Sequence, residues 1–352
     1  MLLLLRLVRA GLYEDAAHLN DFPELTEKEW LELYEESKRQ TVSGIALHGL
    51  TLLPDSKMPP QSVLFRWVAR GDRIERSWQG MKRVIRTLVP FFEAEGIRPV
   101  LQKGHAVGRF YPTPQLRTSG DVDLCFDDAD RRRADALIAA KGASIRVASD
   151  CSGVYQWENY DIEHHSRLIE LSNPLRNKAL REILSEAPVR IRIADDCEAY
   201  APAPLVELLM ISVHILKHIL GHGIGLRHFC DYAMARRELL PQIGEERYYE
   251  ACRRLGITRW TRVLDEFTDS YLCQHPEGAK RQPSRLTLKI FSMVKEGGNF
   301  GLHHGSRRKK GGKLKSKVST LEAFLRNAPL ALRLAPAEGF FGVMRLSANL
   351  EF

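Results

Sequence analysis

The sequence predicts an α+β fold: a small mixed β-sheet with helices, followed by a helical domain that closes one side of a cleft. Three observations carry this. Apolar residues recur at helical spacing in the first part of the chain. Short strand-like segments, separated by turn residues, gather between 97 and 193. Strongly apolar helical patterns return after Pro202 and Pro204. Strands and helices followed by helices alone point to a segregated rather than a strictly alternating architecture.

Thr26 with Glu29 three positions on has the form of a capping box, and Trp30, Leu33, Tyr34 and Ser37 follow at helical spacing. This pattern predicts a helix over 26–48. Pro54, Pro59 and Pro60 mark a loop. Val63, Trp67, Ile74, Trp78, Met81, Ile85 and Leu88 then recur at three and four, predicting a long helix over 61–95 that Gly96 ends. Ile97 to Gln102 reads as a short strand and Lys103-Gly104-His105 as a turn. Residues 105–110 can start a helix, which Pro112 and Pro114 break. A strand over 121–126 leads to a charged helix over 128–141, ending at Gly142. Further strands are expected at 144–149, 153–158 and 160–165. Asn173-Pro174 supplies a cap and first-turn pair for a helix to about 187, and a strand over 188–193 follows. Helices are then expected at 205–220, 226–240, 245–255 and 258–273, with the 205–220 stripe docking the helical half onto the sheet. Trp67, Trp78, Trp157 and Trp260 are expected in the core. The chain divides into an N-terminal helical region (1–96), a mixed core (97–195), a helical domain lining the cleft (196–302) and a basic, mobile C-terminal region (303–352).

A chain of 352 residues is long enough for two or three domains, and 44% hydrophobic residues supply a sizeable core. The net charge of +8 suits a partner that carries phosphates. Much of the excess lies in one acid-free stretch holding Arg307, Arg308, Lys309, Lys310, Lys313, Lys315 and Lys317. It reads as a solvated loop, or as a catch for the phosphates of a nucleic acid or nucleotide. It has no interleaved aromatics, which counts against single-strand binding. The six cysteines (Cys125, Cys151, Cys197, Cys230, Cys252 and Cys273) form no C-x-x-C, so reduced thiols in a cytoplasmic protein are the simplest reading. The apolar start before Arg6 is far too short to span a bilayer and has no basic leader, so no signal peptide or membrane partner is expected.

The chemistry concentrates in Arg117-Thr118-Ser119-Gly120-Asp121-Val122-Asp123. On a strand, Asp121 and Asp123 point to the same face. Two like charges that close repel each other unless a cation sits between them. A hard divalent ion is the natural guest, since it takes a few carboxylates plus phosphate oxygens. Arg117 can meet an anion bidentately. Together these suggest phosphoryl or nucleotidyl transfer. The plain alternative is that Gly120-Asp121 only builds a turn. Upstream, Gly104 follows a strand and precedes a helix, so backbone N–H groups there could hold phosphate. Downstream, Glu163 offers a third carboxylate on a strand that also carries Asp161 and His165 on one face.

This order resembles the nucleotidyltransferase superfamily whose best-known member is DNA polymerase beta, where a Gly-Ser or Gly-Gly turn precedes D-x-D and a later acid. It is similar more closely to a bacterial family of uncharacterised nucleotidyltransferases. The matching residues are Lys103-Gly104, Tyr111-Pro112, Arg117, Asp121-Val122-Asp123 and Glu163-His164-His165, then His214, His218, Gly225, Arg227 and Asp231. The resemblance covers residues 97–235. His105 departs from the superfamily's Ser or Gly, and the third acid is Glu163 rather than Asp, with Asp161 competing. The resemblance implies a two-metal mechanism with Mg2+, or Mn2+ in its place. An NTP is attacked at its α-phosphate by an acceptor hydroxyl or phosphate, and pyrophosphate leaves. Asp121 and Asp123 would hold the metal, and Glu163 would hold the second metal or act as base. Lys103 and Arg117 would neutralise phosphate charge. Ser119 would donate to phosphate or cap its turn.

His214 and His218 share a helix face at zinc-ligand spacing, with His222 and His228 close by. The preferred reading sets them beside the cleft, meeting the base, the ribose or Asp231. Asp231 reads as an orienter of a histidine or as a partner of Arg227. His165 reads as a cleft residue and His164 as structural. The function expected is a metal-dependent nucleotidyltransferase moving an NMP from an NTP to a small-molecule or RNA acceptor. The alternatives are an RNA- or protein-directed, toxin-like transferase and a non-catalytic nucleotide- or RNA-binding protein on the same scaffold. No base-reading motif selects one NTP.

Overall fold

Helices surround a seven-stranded mixed sheet in a computed structural model that describes residues 1–148, 152–220, 224–275, 282–298 and 328–348. The α+β class is as expected. The basic stretch, His222 and Cys151 lie outside the described residues.

The apolar start is the first turn of α1 (Leu2–Tyr13), whose Leu4, Leu5, Leu7 and Val8 are buried. The helix expected over 26–48 is two helices, α2 (Glu27–Arg39) and α3 (Ser43–Leu50). The capping box of Thr26 and Glu29 is present. The break follows from Thr41, whose φ of 56° cannot continue a right-handed helix. It turns α3 across α1, where Gly11 and Gly49 let the backbones touch. A Cβ on Gly49 would lie 1.9 Å from the Leu7 carbonyl oxygen. The long helix appears as α4 (Gln61–Ala94), with Pro90 inside it.

The sheet comprises β1 (Val100–Gln102), β2 (Asp121–Cys125), β3 (Arg146–Val147), β4 (Gly153–Trp157), β5 (Tyr160–His165), β6 (Val189–Ala194) and β7 (Cys197–Ala201), in the order β3-β4-β5-β2-β1-β7-β6. Between these strands lie α5 (Gly104–Gly108), α6 (Asp128–Ala140) and α7 (Asn177–Leu184). The pairs β2–β5 and β1–β7 are parallel, and the other pairs are antiparallel. The β4–β5 hairpin turns on Glu158 and Asn159, both at positive φ, as a two-residue hairpin loop demands. No strand pattern in the sequence marks β7. Its Ala199 and Ala201 carry little strand propensity, yet the strand pairs with β1, so the sheet runs past residue 195.

After the sheet come α8 (Pro204–Leu220), α9 (Leu226–Ile243), α10 (Glu245–Leu255), α11 (Thr258–Tyr271) and α12 (Arg285–Gly297), then a helix at Pro336–Ala348. The α8 stripe packs into a helical core with α1, α3 and α9 rather than onto the sheet. A second core lies under the sheet, from Met81 to Phe92 of α4 with Val122, Leu124, Ile162 and Ala199. Thus α4 ties the two together, with Val63 and Trp67 in the first and Ile85 and Leu88 in the second. Trp67, Trp78 and Trp260 are buried, whereas Trp157 sits at the margin of the sheet core. No helix among the described residues is long and apolar enough to cross a membrane.

Candidate active site

The parallel register of β2 and β5 sets Asp121 beside Asp161, Asp123 beside Glu163 and Cys125 beside His165. Paired residues share a face and successive residues alternate, so the acids and His165 project to one side. Val122, Leu124 and Ile162 occupy the other side, in the core beneath α4. A strand buried on its apolar face leaves its carboxylates one direction to point.

Asp123 is 2% exposed. Lys103 Nζ donates to its Oδ1 at 3.0 Å and His165 Nε2 to the same oxygen at 2.7 Å. His165 Nε2 also lies 3.4 Å from Glu163 Oε2. Ligand atoms of Asp123, Glu163 and His165 fall within 4.8 Å of one another. Burial opposes charge on Asp123, but Lys103 and His165 outweigh it and hold the carboxyl below its usual range. Asp121 moves the other way: the Asp123 charge, then burial, push it up to about 7. Burial opposes the cations too, yet Asp123 prevails, so Lys103 is raised and His165 is pushed up to about 9. The cluster therefore lacks one positive charge, and the deficit falls on Asp121. Asp161, the competing third acid, is exposed and accepts from Gln156, whereas Glu163 faces Asp123.

Lys103, the N-cap of α5, sits at φ 51°, ψ −134°, a backbone conformation that glycine usually takes. Gly104 opens α5 directly behind it. A Cβ there would meet Ser119 Oγ at 3.1 Å and the Asp121 carbonyl oxygen at 3.4 Å. Ser119 Oγ donates to that carbonyl at 3.4 Å, which is its turn-capping role. His105 turns away from the site. Its ring stacks on Trp78 at 3.8 Å and its Nε2 donates to the Trp78 carbonyl at 3.0 Å, and burial pushes its pKa down to about 4. The departure from Ser or Gly at this position is thus a packing feature of α4.

Arg117 is 3% exposed and meets Asp231 through two bonds, Nε to Oδ1 at 2.8 Å and Nη2 to Oδ2 at 2.7 Å. Tyr111 Oη donates to the same carboxylate at 2.7 Å. Sequence reasoning sets Arg117 against phosphate and Asp231 against a histidine or Arg227; the fold pairs the two with each other. Their pair braces the loop before β2 against α9. A parallel brace joins α5 to α8, where Arg109 Nη1 reaches the fully buried Glu207 at 2.8 Å. His164 bonds Asp135 at 2.8 Å and Tyr155 at 2.9 Å within the core, matching its structural reading.

Arg227 is the residue that sequence reasoning under-weights. Its Nη1 donates to the Thr118 carbonyl at 2.8 Å, and its Nε has no hydrogen-bond partner among the described residues. Burial and then Arg117 lower its pKa, while Asp231 and Asp121 oppose them. It is therefore a cation with a spare donor near the acidic face. His214, His218 and His228 cluster beside it, with ring nitrogens within 4.8 Å of one another. Lys103 is close enough to His214 to depress its protonation, after burial and His218, so this cluster borders the acidic one.

No curated protein matches the chain in sequence. A family model described as uncharacterised nucleotidyltransferase matches residues 26–265, which takes in α2 through most of α11 and every residue of both clusters. That span is well over half of the molecule, and the chain belongs to this nucleotidyltransferase family.

Proposed function

We propose that the protein is a metal-dependent nucleotidyltransferase that moves an NMP from an NTP to an acceptor and releases pyrophosphate. The observation that carries this is the β2–β5 register, which gathers Asp121, Asp123 and Glu163 on one face. The residues fit a hard divalent cation. The donors are carboxylates, and at Asp121 the charge of Asp123 and burial outweigh the nearby cations Lys103 and Arg227. Asp121, Asp123 and Glu163 would hold Mg2+, or Mn2+, which when bound supplies charge stabilisation to the triphosphate. Lys103 releases Asp123 and turns its ammonium to a phosphate oxygen. Gly104 allows close approach of the backbone, and Ser119 offers a hydroxyl. Arg227 supplies the guanidinium first assigned to Arg117, while Arg117 and Asp231 hold the loop in place. Glu163 stands ready to accept the proton of the attacking hydroxyl.

A non-catalytic scaffold would not need two acids that raise each other's energy. The net charge of +8 favours an acceptor that carries phosphate, with small molecules and RNA both in reach. The test is incubation with each α-labelled NTP and Mg2+ or Mn2+, following label and pyrophosphate. The Asp121→Asn/Asp123→Asn protein runs alongside. Pyrophosphate release lost in the double variant supports the reading. Absence of both turnover and Mg2+-dependent NTP binding with every NTP would sink it.

A further inference from the structure

We propose that His214, His218 and His228 form a Zn2+ site of their own, separate from the carboxylate face. His214 and His218 stand one turn apart on α8, and His228 lies on the first turn of the neighbouring α9. Their ligand atoms lie within 4.8 Å of one another. The Nε2 atoms of His214 and His218 are 3.1 Å apart. Tetrahedral Zn2+ with N ligands at about 2.0–2.1 Å separates those ligands by about 3.3 Å, so the pair is already at coordination spacing. Imidazole donors select Zn2+ over Mg2+, which prefers oxygen.

The tautomer of His228 points the same way. Its Nδ1 lies 3.4 Å from the Gly225 carbonyl, which can only accept, so Nδ1 carries the proton. Arg227 Nη2, which can only donate, lies 3.5 Å from Nε2. His228 therefore presents an unprotonated Nε2, with its other nitrogen oriented by a backbone carbonyl, as in metal-ligating histidines. The start of α9 is held rigidly, because the buried Gln40 accepts from Leu226 N at 2.9 Å and donates to the Val294 carbonyl at 2.8 Å. Three histidines leave a fourth position open. The cations beside them, Arg227 and Lys103, favour an anion there, a hydroxide or a phosphate oxygen.

The inference does not depend on nucleotidyl transfer, and its test reads metal rather than turnover. The full chain without a histidine tag is stripped with chelator, titrated with Co2+ and then displaced with Zn2+. One Co2+ per chain with ligand-field bands of tetrahedral intensity, bleached by one Zn2+, is expected. The bands should vanish in His214→Gln and in His228→Asn, each checked for native circular dichroism. They should persist in Asp121→Asn/Asp123→Asn. No tetrahedral band would overturn the assignment. So would a band that survives both histidine substitutions, a band lost with the aspartates, or a thiolate-to-cobalt band showing that cysteines bind instead.

Discussion

Asp121→Asn removes the carboxylate that the metal-free fold tolerates least. The like charge of Asp123, then burial, push Asp121 up to about 7 from 3.8. Each pKa unit is worth about 1.4 kcal/mol, so ionised Asp121 costs the fold about 4 kcal/mol well above pH 7. The sign follows from linkage. The folded carboxyl holds its proton more tightly than the unfolded one, so this group's contribution falls as pH rises from 3.8 through 7. Asparagine does not titrate, and no side-chain hydrogen bond of Asp121 is lost among the described residues. The variant should therefore be more stable than the parent, by a margin that grows by about 2–3 kcal/mol between pH 5 and pH 9. Urea unfolding in chelator at the two pH values measures this. Mg2+ should stabilise the parent more than the variant, and the variant should lose pyrophosphate release. A margin independent of pH, or a variant less stable at pH 9, would refute the argument that Asp121 and Asp123 share one desolvated face.

Asp123→Asn should act with the opposite sign, because it strands the Lys103 and His165 cations; a loss of about 3 kcal/mol is expected from urea unfolding at pH 8. Asp231→Asn should cost about 3–5 kcal/mol by breaking a buried bidentate pair, and Arg117→Lys should not preserve stability, since an ammonium cannot reproduce the fork. His105 is held at about 4 by burial, below its unfolded 6.5. Its contribution, about 3 kcal/mol, is thus lost as pH falls from 6.5 toward 4. His105→Phe keeps the stack on Trp78 and should flatten the pH dependence of the denaturation midpoint across that window.

The acidic face was readable from sequence because its signal is local. Period two puts Asp121 and Asp123 together, and a nearby strand with Asp161, Glu163 and His165 carries the rest. Choosing Glu163 over Asp161 needed the strand register, which no local pattern contains. Charge pairing failed for the same reason. Arg117 and Asp231 are 114 residues apart, and nothing in either neighbourhood says that they meet. Among the histidines, the i,i+4 pair was visible and His228 was seen only as close in sequence; that it joins the pair depends on the packing of α9 on α8. Two fold details were hidden by weak propensity. An alanine-rich segment became the inner strand β7, and a helical pattern concealed the turn at Thr41.

Lys103 draws these features together. A lysine at φ 51° in a conformation suited to glycine is strained by about 1–3 kcal/mol. It is also desolvated, and it takes a carboxylate oxygen that the proposed metal would claim. Glycine at this position would relieve the strain but leave Asp123 with His165 alone. The lysine thus occupies the acidic face, and a divalent cation bound there would free it. Its ammonium would then lie next to the place proposed for the triphosphate, within the turn that would hold it. The braces Arg109–Glu207 and Arg117–Asp231 pin both sides of that turn to the helical half, so the strain is held locally. On this account the exchange of cation for lysine, rather than a domain movement, would be the step that makes the site competent for nucleotide.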